Sequence, residues 1–144
     1  MTTDAPETRL QRLIDANLNR LKEGLRVLED TRRYLYDDKV TSQRFKVLRH
    51  SLQKAYDPSR LQYRDIRNDV LKESTESEMR REDLQSIIIA NFSRTQESAR
   101  VLEEAYKLLD TELSSLFKEI RYELYDLEKV VLGKSAAKSS SNSR

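Results

Sequence analysis

The chain has no cysteine and no tryptophan, one histidine, two glycines and two prolines in 144 residues. Without cysteine there is no disulfide framework, no thiolate nucleophile and no zinc–sulfur site. The lone His50 argues against a histidine-built metal centre, because such centres draw on several imidazoles. Few glycines and prolines mean few obligatory turns, so the chain suits long helices better than many short strands. No apolar run approaches the ~18 residues of a membrane span, and no secretory apolar region follows Met1. A soluble cytoplasmic protein without a membrane partner is the expectation.

What the chain has in quantity is charge. Lys and Arg number 27 against 25 Asp and Glu. The excess is local: Lys134, Lys138 and Arg144 lie in a tail with no acids, and without them 24 bases face 25 acids. The body is near neutral, so a nucleic-acid partner is not expected. Nucleotide-binding glycine loops (Gly-x-x-x-x-Gly-Lys, Gly-x-Gly-x-x-Gly) and the nucleophile elbow are absent too. A carboxylate di-iron bundle needs two Glu-x-x-His pairs, which one histidine cannot supply.

Apolar spacing divides the chain. Residues 1–8 read as a flexible start and 133–144, rich in Ser and Lys, as a disordered tail. Between them, 9–132 reads as one helical domain. Ile14, Leu18, Leu21, Leu25, Leu28 and Leu35 follow the 3/4 spacing of a packed helix, from Arg9 to about Tyr36. A second helix over 41–56 aligns Phe45, Leu48, Leu52 and Ala55, and Asp57-Pro58 ends it. A charged connector covers 57–79. A third helix follows from about Glu82 to Leu109, and Asp110-Thr111 can cap a fourth that Gly133 stops.

The two halves repeat. At an offset of 74 residues, 16–35 matches 90–109 in nine of twenty positions: Ala16/Ala90, Asn17/Asn91, Arg20/Arg94, Glu23/Glu97, Arg26/Arg100, Val27/Val101, Leu28/Leu102, Glu29/Glu103 and Leu35/Leu109. Chance predicts roughly one in twenty. The next helices match at an offset of 72, including Phe45/Phe117, Arg49/Arg121 and Leu52/Leu124. The expected fold is all-α: a pseudo-twofold four-helix bundle from two duplicated helical hairpins, 9–56 and 80–132.

Candidate site residues are the polar groups on apolar arcs. At about 100° per residue, Asn17 and Arg20 fall within the apolar arc of the first helix, with Gly24 between them and Glu23 at the edge. Their repeats are Asn91, Arg94, Ser98 and Glu97. An inward arginine must find an anion, either a glutamate within the bundle or a ligand phosphate that its planar fork suits. Arg60, Arg64, Arg67, Asp65 and Asp69 form a second cluster in the connector, as an exposed linker or a loop closing on a ligand. Its two carboxylates are weak support for Mg²⁺. His50 lies off the apolar side of its helix.

These residues together are similar to a known family. Ile14-Asp15-Ala16-Asn17-Leu18-Asn19-Arg20 with Glu23-Gly24-Leu25-Arg26-Val27-Leu28-Glu29-Asp30 resembles the helical domain fused ahead of thiamine-phosphate synthase in cyanobacteria and some other bacteria. Lys46-Val47-Leu48-Arg49-His50, Arg64-Asp65, Asp69-Val70, Glu76-Ser77-Glu78 and Ala90-Asn91 through Leu102-Glu103-Glu104 extend the likeness. The resemblance implies a role in thiamine biosynthesis, at the hydroxymethylpyrimidine phosphate step, as a transferase or kinase-like activity. It implies Arg20 and Arg94 on phosphate, Asn17 and Asn91 on a pyrimidine, and Glu23 and Glu97 as acid–base residues. It equally admits a non-catalytic docking module for a separate synthase, with homodimer formation open. One departure stands out: where the family usually has Asp-Val-Gly, this chain has Asp69-Val70-Leu71-Lys72 and loses a position free to take φ > 0.

Overall fold

Three of the four α-helices begin where an aspartate side chain holds amides that helix geometry leaves unpaired. The computed structural model describes residues 6–72 and 83–142, with side chains through 133. Pro6 opens α1 (Pro6–Asp30), where its missing N–H costs nothing. Asp38 opens α2 (Lys39–Ser51), accepting from the Thr41 amide at 3.0 Å. Asp83 does the same for α3 (Leu84–Tyr106), with the Ser86 amide at 2.8 Å. Asp110 accepts from Glu112 and Leu113 amides at 3.0 and 3.2 Å and starts α4 (Thr111–Asn142). Among the described residues there is no strand, and no helix is long and apolar enough to cross a membrane. The protein is all-helical.

The ends of the helices differ from the sequence expectation in instructive ways. α1 widens into a π-helical turn, Thr31–Leu35, and Asp37 follows in a left-handed conformation with φ 49°. α2 tightens into a 3₁₀ turn, Leu52–Ala55. Part of the connector is itself ordered: Pro58–Tyr63 forms a 3₁₀ helix because Asp57 caps the Ser59 amide and Pro58 fixes the first φ. Gly133 does not stop α4, which continues to Asn142; no glycine here has positive φ, so the left-handed helix stop is not used. Pro6–Thr8, read as part of a loose start, lies within α1. Met1–Ala5, residues 73–82 and residues 143–144 lie outside the described residues, and with them Glu76-Ser77-Glu78.

α1 and α3 run antiparallel and carry most of the core. Ile14, Leu21, Leu25 and Leu28 from α1 meet Ile88, Phe92, Ala99 and Leu102 from α3, all essentially buried. The crossing is close: a Cβ built on Gly24 would lie 2.5 Å from Thr95 Cγ2, so only glycine permits this separation. α2 lies along α1 through Phe45, Leu48 and Leu52, and Phe45 reaches Phe92 at 5.9 Å between ring centroids. α4 lies along α3 through Phe117, Ile120, Leu124, Leu127 and Val131, with Phe117 stacked on Tyr106 at 5.5 Å.

Charged pairs complete the helix contacts. Arg49 on α2 meets Glu29 on α1 at 2.8 Å, and Arg121 on α4 meets Glu103 on α3 at 2.9 Å. Arg44 ties α2 to α4 by binding Glu123 and, at 2.7 Å, Asp126. These buried and half-buried ions are all partnered, as their desolvation requires.

Candidate functional site

The exposed flank of α1 gathers most of the residues singled out in the sequence. Asn17 is buried, and its amide donates to the Leu13 carbonyl at 2.9 Å. Its Oδ1 accepts from Arg20 Nη1 at 3.3 Å, so the arginine lies along its own helix with its head in solvent. Glu23, one turn on, is also exposed. Arg64 from the connector arrives at the same flank and grips Asp15 with two parallel bonds, both 2.9 Å. That pairing raises the Arg64 pKa above its ordinary value, with the Asp15 hydrogen bond the largest cause and the Glu23 charge a smaller one. Asp15, Asn17, Arg20, Glu23 and Arg64 therefore share one electrostatic neighbourhood.

The matching flank of α3 is less organised. Asn91 is buried and donates to the Ile87 carbonyl at 2.8 Å, as Asn17 does to Leu13. Its Oδ1, however, is enclosed without a hydrogen-bond partner and sits beside Gly24. Ser98 Oγ is likewise buried and unpartnered. Arg94 and Glu97 are exposed.

Arg20 and Arg94 do not point inward as the helical wheel places them. The buried face of α1 (Ile14, Asp15, Asn17, Leu21, Gly24, Leu25, Leu28, Glu29) is rotated off the apolar arc of its sequence toward Asp15 and Glu29, and Leu13 and Val27 are more than a third exposed. An arginine at the arc's edge keeps its stem on the protein and its guanidinium in water. Nor do the repeated glutamates Glu29 and Glu103 take Arg20 and Arg94 as partners; they are occupied by Arg49 and Arg121.

In the connector, Asp65 and Asp69 serve the backbone. Asp65 accepts from the Arg67 and Asn68 amides and from the Asn68 side chain at 2.7 Å, and these bonds hold its carboxyl below the usual carboxylate range. Asp69 accepts from the Leu71 amide at 3.0 Å. Neither converges with another acid; among the described residues no group of His, Asp and Glu is arranged to hold a metal ion.

Sequence reasoning placed Arg60 in the connector cluster but missed the role of Asp15. Asp15 looks like an ordinary helix-surface acid until the connector brings Arg64 across 49 positions. Arg60 is buried and binds both the Ala55 carbonyl at 2.8 Å and Gln11 at 2.7 Å, which pins the connector to the start of α1. Helical periodicity carries no signal for a contact made from outside the helix.

Residues 12–130 match the model of the ThiD2 family. The chain belongs to the ThiD2 family. It is 37% identical over 130 residues to a thiamine-phosphate synthase of Synechocystis sp., covering 90% of this chain and 38% of that protein. It is 40% identical over 124 residues to a thiamine-phosphate synthase of Thermosynechococcus vestitus, covering 85% of this chain and 35% of the other. A third, from Rhodopirellula baltica, is 40% identical over 128 residues, covering 85% of this chain and 34% of the other. The chain thus spans little more than a third of the length of these relatives. No solved structure matches it.

Proposed function

We propose that this ThiD2-family chain is a thiamine-biosynthesis domain that binds a phosphorylated pyrimidine, or a similar small phosphate ligand, and acts at the hydroxymethylpyrimidine phosphate step. The observation that carries the reading is the shared neighbourhood on α1 of Asn17, Arg20, Glu23 and an Arg64 held in place by Asp15. A guanidinium already oriented by a bidentate carboxylate keeps donors for a second anion at little entropic cost. In this reading Arg20, Arg64 and Arg94 meet phosphate, while Asn17 and Asn91 orient the ring. The enclosed, unpartnered Asn91 Oδ1 supports a polar role for that residue. Asp65 and Asp69 shape the loop that carries Arg64. Glu23 and Glu97 are the acid–base residues of a transferase or kinase-like step, taking a proton from an attacking hydroxyl.

The two-hairpin architecture belongs to the same proposal. Glu29–Arg49 and Glu103–Arg121 stand at the repeat offsets of 74 and 72, and each joins the two helices of one half. The amide bonds Asn17 to Leu13 and Asn91 to Ile87 repeat in the same way. These pairs support a duplicated hairpin with approximate twofold symmetry.

Thermal unfolding with hydroxymethylpyrimidine phosphate, its diphosphate, thiazole phosphate and thiamine phosphate tests the ligand. Binding at about 100 times Kd adds about 2.7 kcal/mol of stability and raises Tm by several degrees. If none of the four moves Tm at millimolar concentration, the ligand reading fails.

A second reading is favoured by an open apolar groove of about 590 Å³ between the end of α1 and the start of α3. Val27, Tyr34, Leu35, Leu84 and Ile87 line it, and a surface of this kind suits docking to a separate thiamine-phosphate synthase or to a second copy. Gel filtration alone and with the synthase separates these outcomes; a monomer that ignores the synthase excludes both.

A further inference from the structure

The turn joining α1 to α2 borders a half-open cavity of about 340 Å³ that the α1 flank does not touch. Its wall comes from three pieces of chain: Glu29 at the end of α1, Arg33 in the π-helical turn, and Lys39, Ser42 and Lys46 on the first turns of α2. Asp37 and Asp38 close the rim. Counted naively, the wall is neutral. Its internal pairing makes it otherwise.

Glu29 is occupied by Arg49 at 2.8 Å. Asp38 is occupied twice, by Arg32 at 3.0 Å through one oxygen and by the Thr41 amide at 3.0 Å through the other. Arg33 rests on the Tyr34 ring at 4.9 Å, which leaves its charge uncancelled. Among the described residues, Arg33, Lys39 and Lys46 have no carboxylate partner, and only Asp37 opposes them. Three cations and one anion therefore face a concave space near the lower end of the ~300–1,000 Å³ range of small-molecule sites. Asp38 already takes the Thr41 amide on its side chain and the Ser42 amide on its carbonyl, so the positive character of the cavity comes from the three side chains.

We propose that this cavity is an anion site for a small phosphate or diphosphate group, distinct from the α1 flank of Asn17 and Arg20. Arg33 supplies a planar donor fork, and Lys39 and Lys46 supply point charges. Asp37, in the left-handed conformation, lies in the chain between Arg33 and Lys39, and all three line the cavity. The same chemistry recognises inorganic diphosphate or the phosphates of an organic ligand. The site stands whether or not the α1 flank binds anything.

The test is a titration of the intact chain with inorganic diphosphate and with adenosine diphosphate, followed by backbone amide NMR at constant ionic strength, with sulfate as control. Saturable shifts confined to residues 33–46 are expected, weakening as salt is raised. Lys39→Gln and Lys46→Gln should each weaken binding about tenfold, the worth of one charge-assisted hydrogen bond. Lys22→Gln, at an exposed position on α1 that does not line the cavity, should change nothing. Both lysines of the site are exposed, so the variants should fold. Tighter binding of adenosine diphosphate identifies an organic ligand, and equal binding identifies a site that reads phosphate alone; either sustains the proposal. It is overturned if neither anion saturates by about 10 mM, the weak limit of specific binding, if sulfate binds as well, or if Lys22→Gln weakens binding as much as Lys46→Gln.

Discussion

Arg49 Nε donates to the Glu29 carboxylate at 2.8 Å and so ties α2 to α1 through an ion pair whose acid is almost wholly buried. The hydrogen bond it donates to Glu29 is the largest cause holding the Arg49 guanidinium protonated more firmly than usual. Removing only the base strands a buried carboxylate. Arg49→Met should cost about 3–5 kcal/mol in urea unfolding, while Glu29→Leu with Arg49→Met should recover most of it. Arg121→Met should behave the same way through Glu103. A cost below 1 kcal/mol would show that water reaches the carboxylate.

The contact of Gly24 with Thr95 gives an opposite pair of effects. In an isolated helix Gly→Ala gains about 1 kcal/mol. Here the new methyl would meet Thr95 Cγ2 at 2.5 Å, and the Thr95 hydroxyl is held by the Asn91 and Phe92 carbonyls at 2.8 and 3.0 Å. The side chain cannot swing away cheaply, so Gly24→Ala should destabilise by about 1–3 kcal/mol. Thr95→Ser keeps the hydroxyl and removes the methyl. On that background Gly24→Ala should turn neutral or stabilising by up to about 1 kcal/mol. Circular-dichroism melts of the four proteins close the cycle.

How far the sequence could be read follows from the range of the forces involved. The 3/4 spacing of Ile14, Leu21, Leu25 and Leu28, and of Phe117, Ile120, Leu124 and Leu127, marked the helices and much of the core, since burial along a helix is a local pattern. Asn17 and Asn91 were placed as inward polar residues and are buried. Arg20 and Arg94 were placed with them and are exposed, because a wheel assigns a direction to Cβ and not to a guanidinium at the end of a flexible stem. The bond between Arg64 and Asp15 depends on how the connector crosses α1, which no periodicity encodes. The cavity beside α2 was invisible for a related reason: its charge balance depends on which acids Arg32 and Arg49 neutralise.

Asp38 gives the fold a pH dependence of definite sign. Burial acts to raise its carboxyl pKa, but the Thr41 amide and the Arg32 guanidinium together outweigh it and hold it below the ordinary carboxylate value. A depressed folded-state pKa contributes stability above the unfolded value and loses it as pH falls through the folded one. Asp38→Asn keeps a capping oxygen but leaves the buried Arg32 without its carboxylate, and should cost about 1–3 kcal/mol at pH 7. That difference from the wild type should shrink below about pH 4 as the wild-type carboxyl protonates. Urea unfolding at pH 7, 5 and 3 reads it, and a pH-independent difference would assign the loss to packing instead.

Arg64 separates a binding role from a structural one. Its side chain is 43% exposed, while Asp15 beneath it is 12% exposed. The pair is anchored on the acid side and open on the base side. As a mere strut, Arg64→Ala should cost under about 1 kcal/mol, the ordinary worth of an exposed pair, and change nothing else. As a preset phosphate donor it should also weaken the ligand by about tenfold, since a charge-assisted bond to phosphate is lost. Asp15→Asn distinguishes the two further. It leaves the guanidinium in place but removes the clamp that orients it, so affinity should fall by a smaller factor, about threefold, as rotamer freedom returns. Calorimetric titration of the ligand found by thermal unfolding, beside urea unfolding of the same variants, gives both readouts. Parallel losses of stability with unchanged affinity would make Arg64 a latch for the connector, and the phosphate role on the α1 flank would then fall to Arg20 alone.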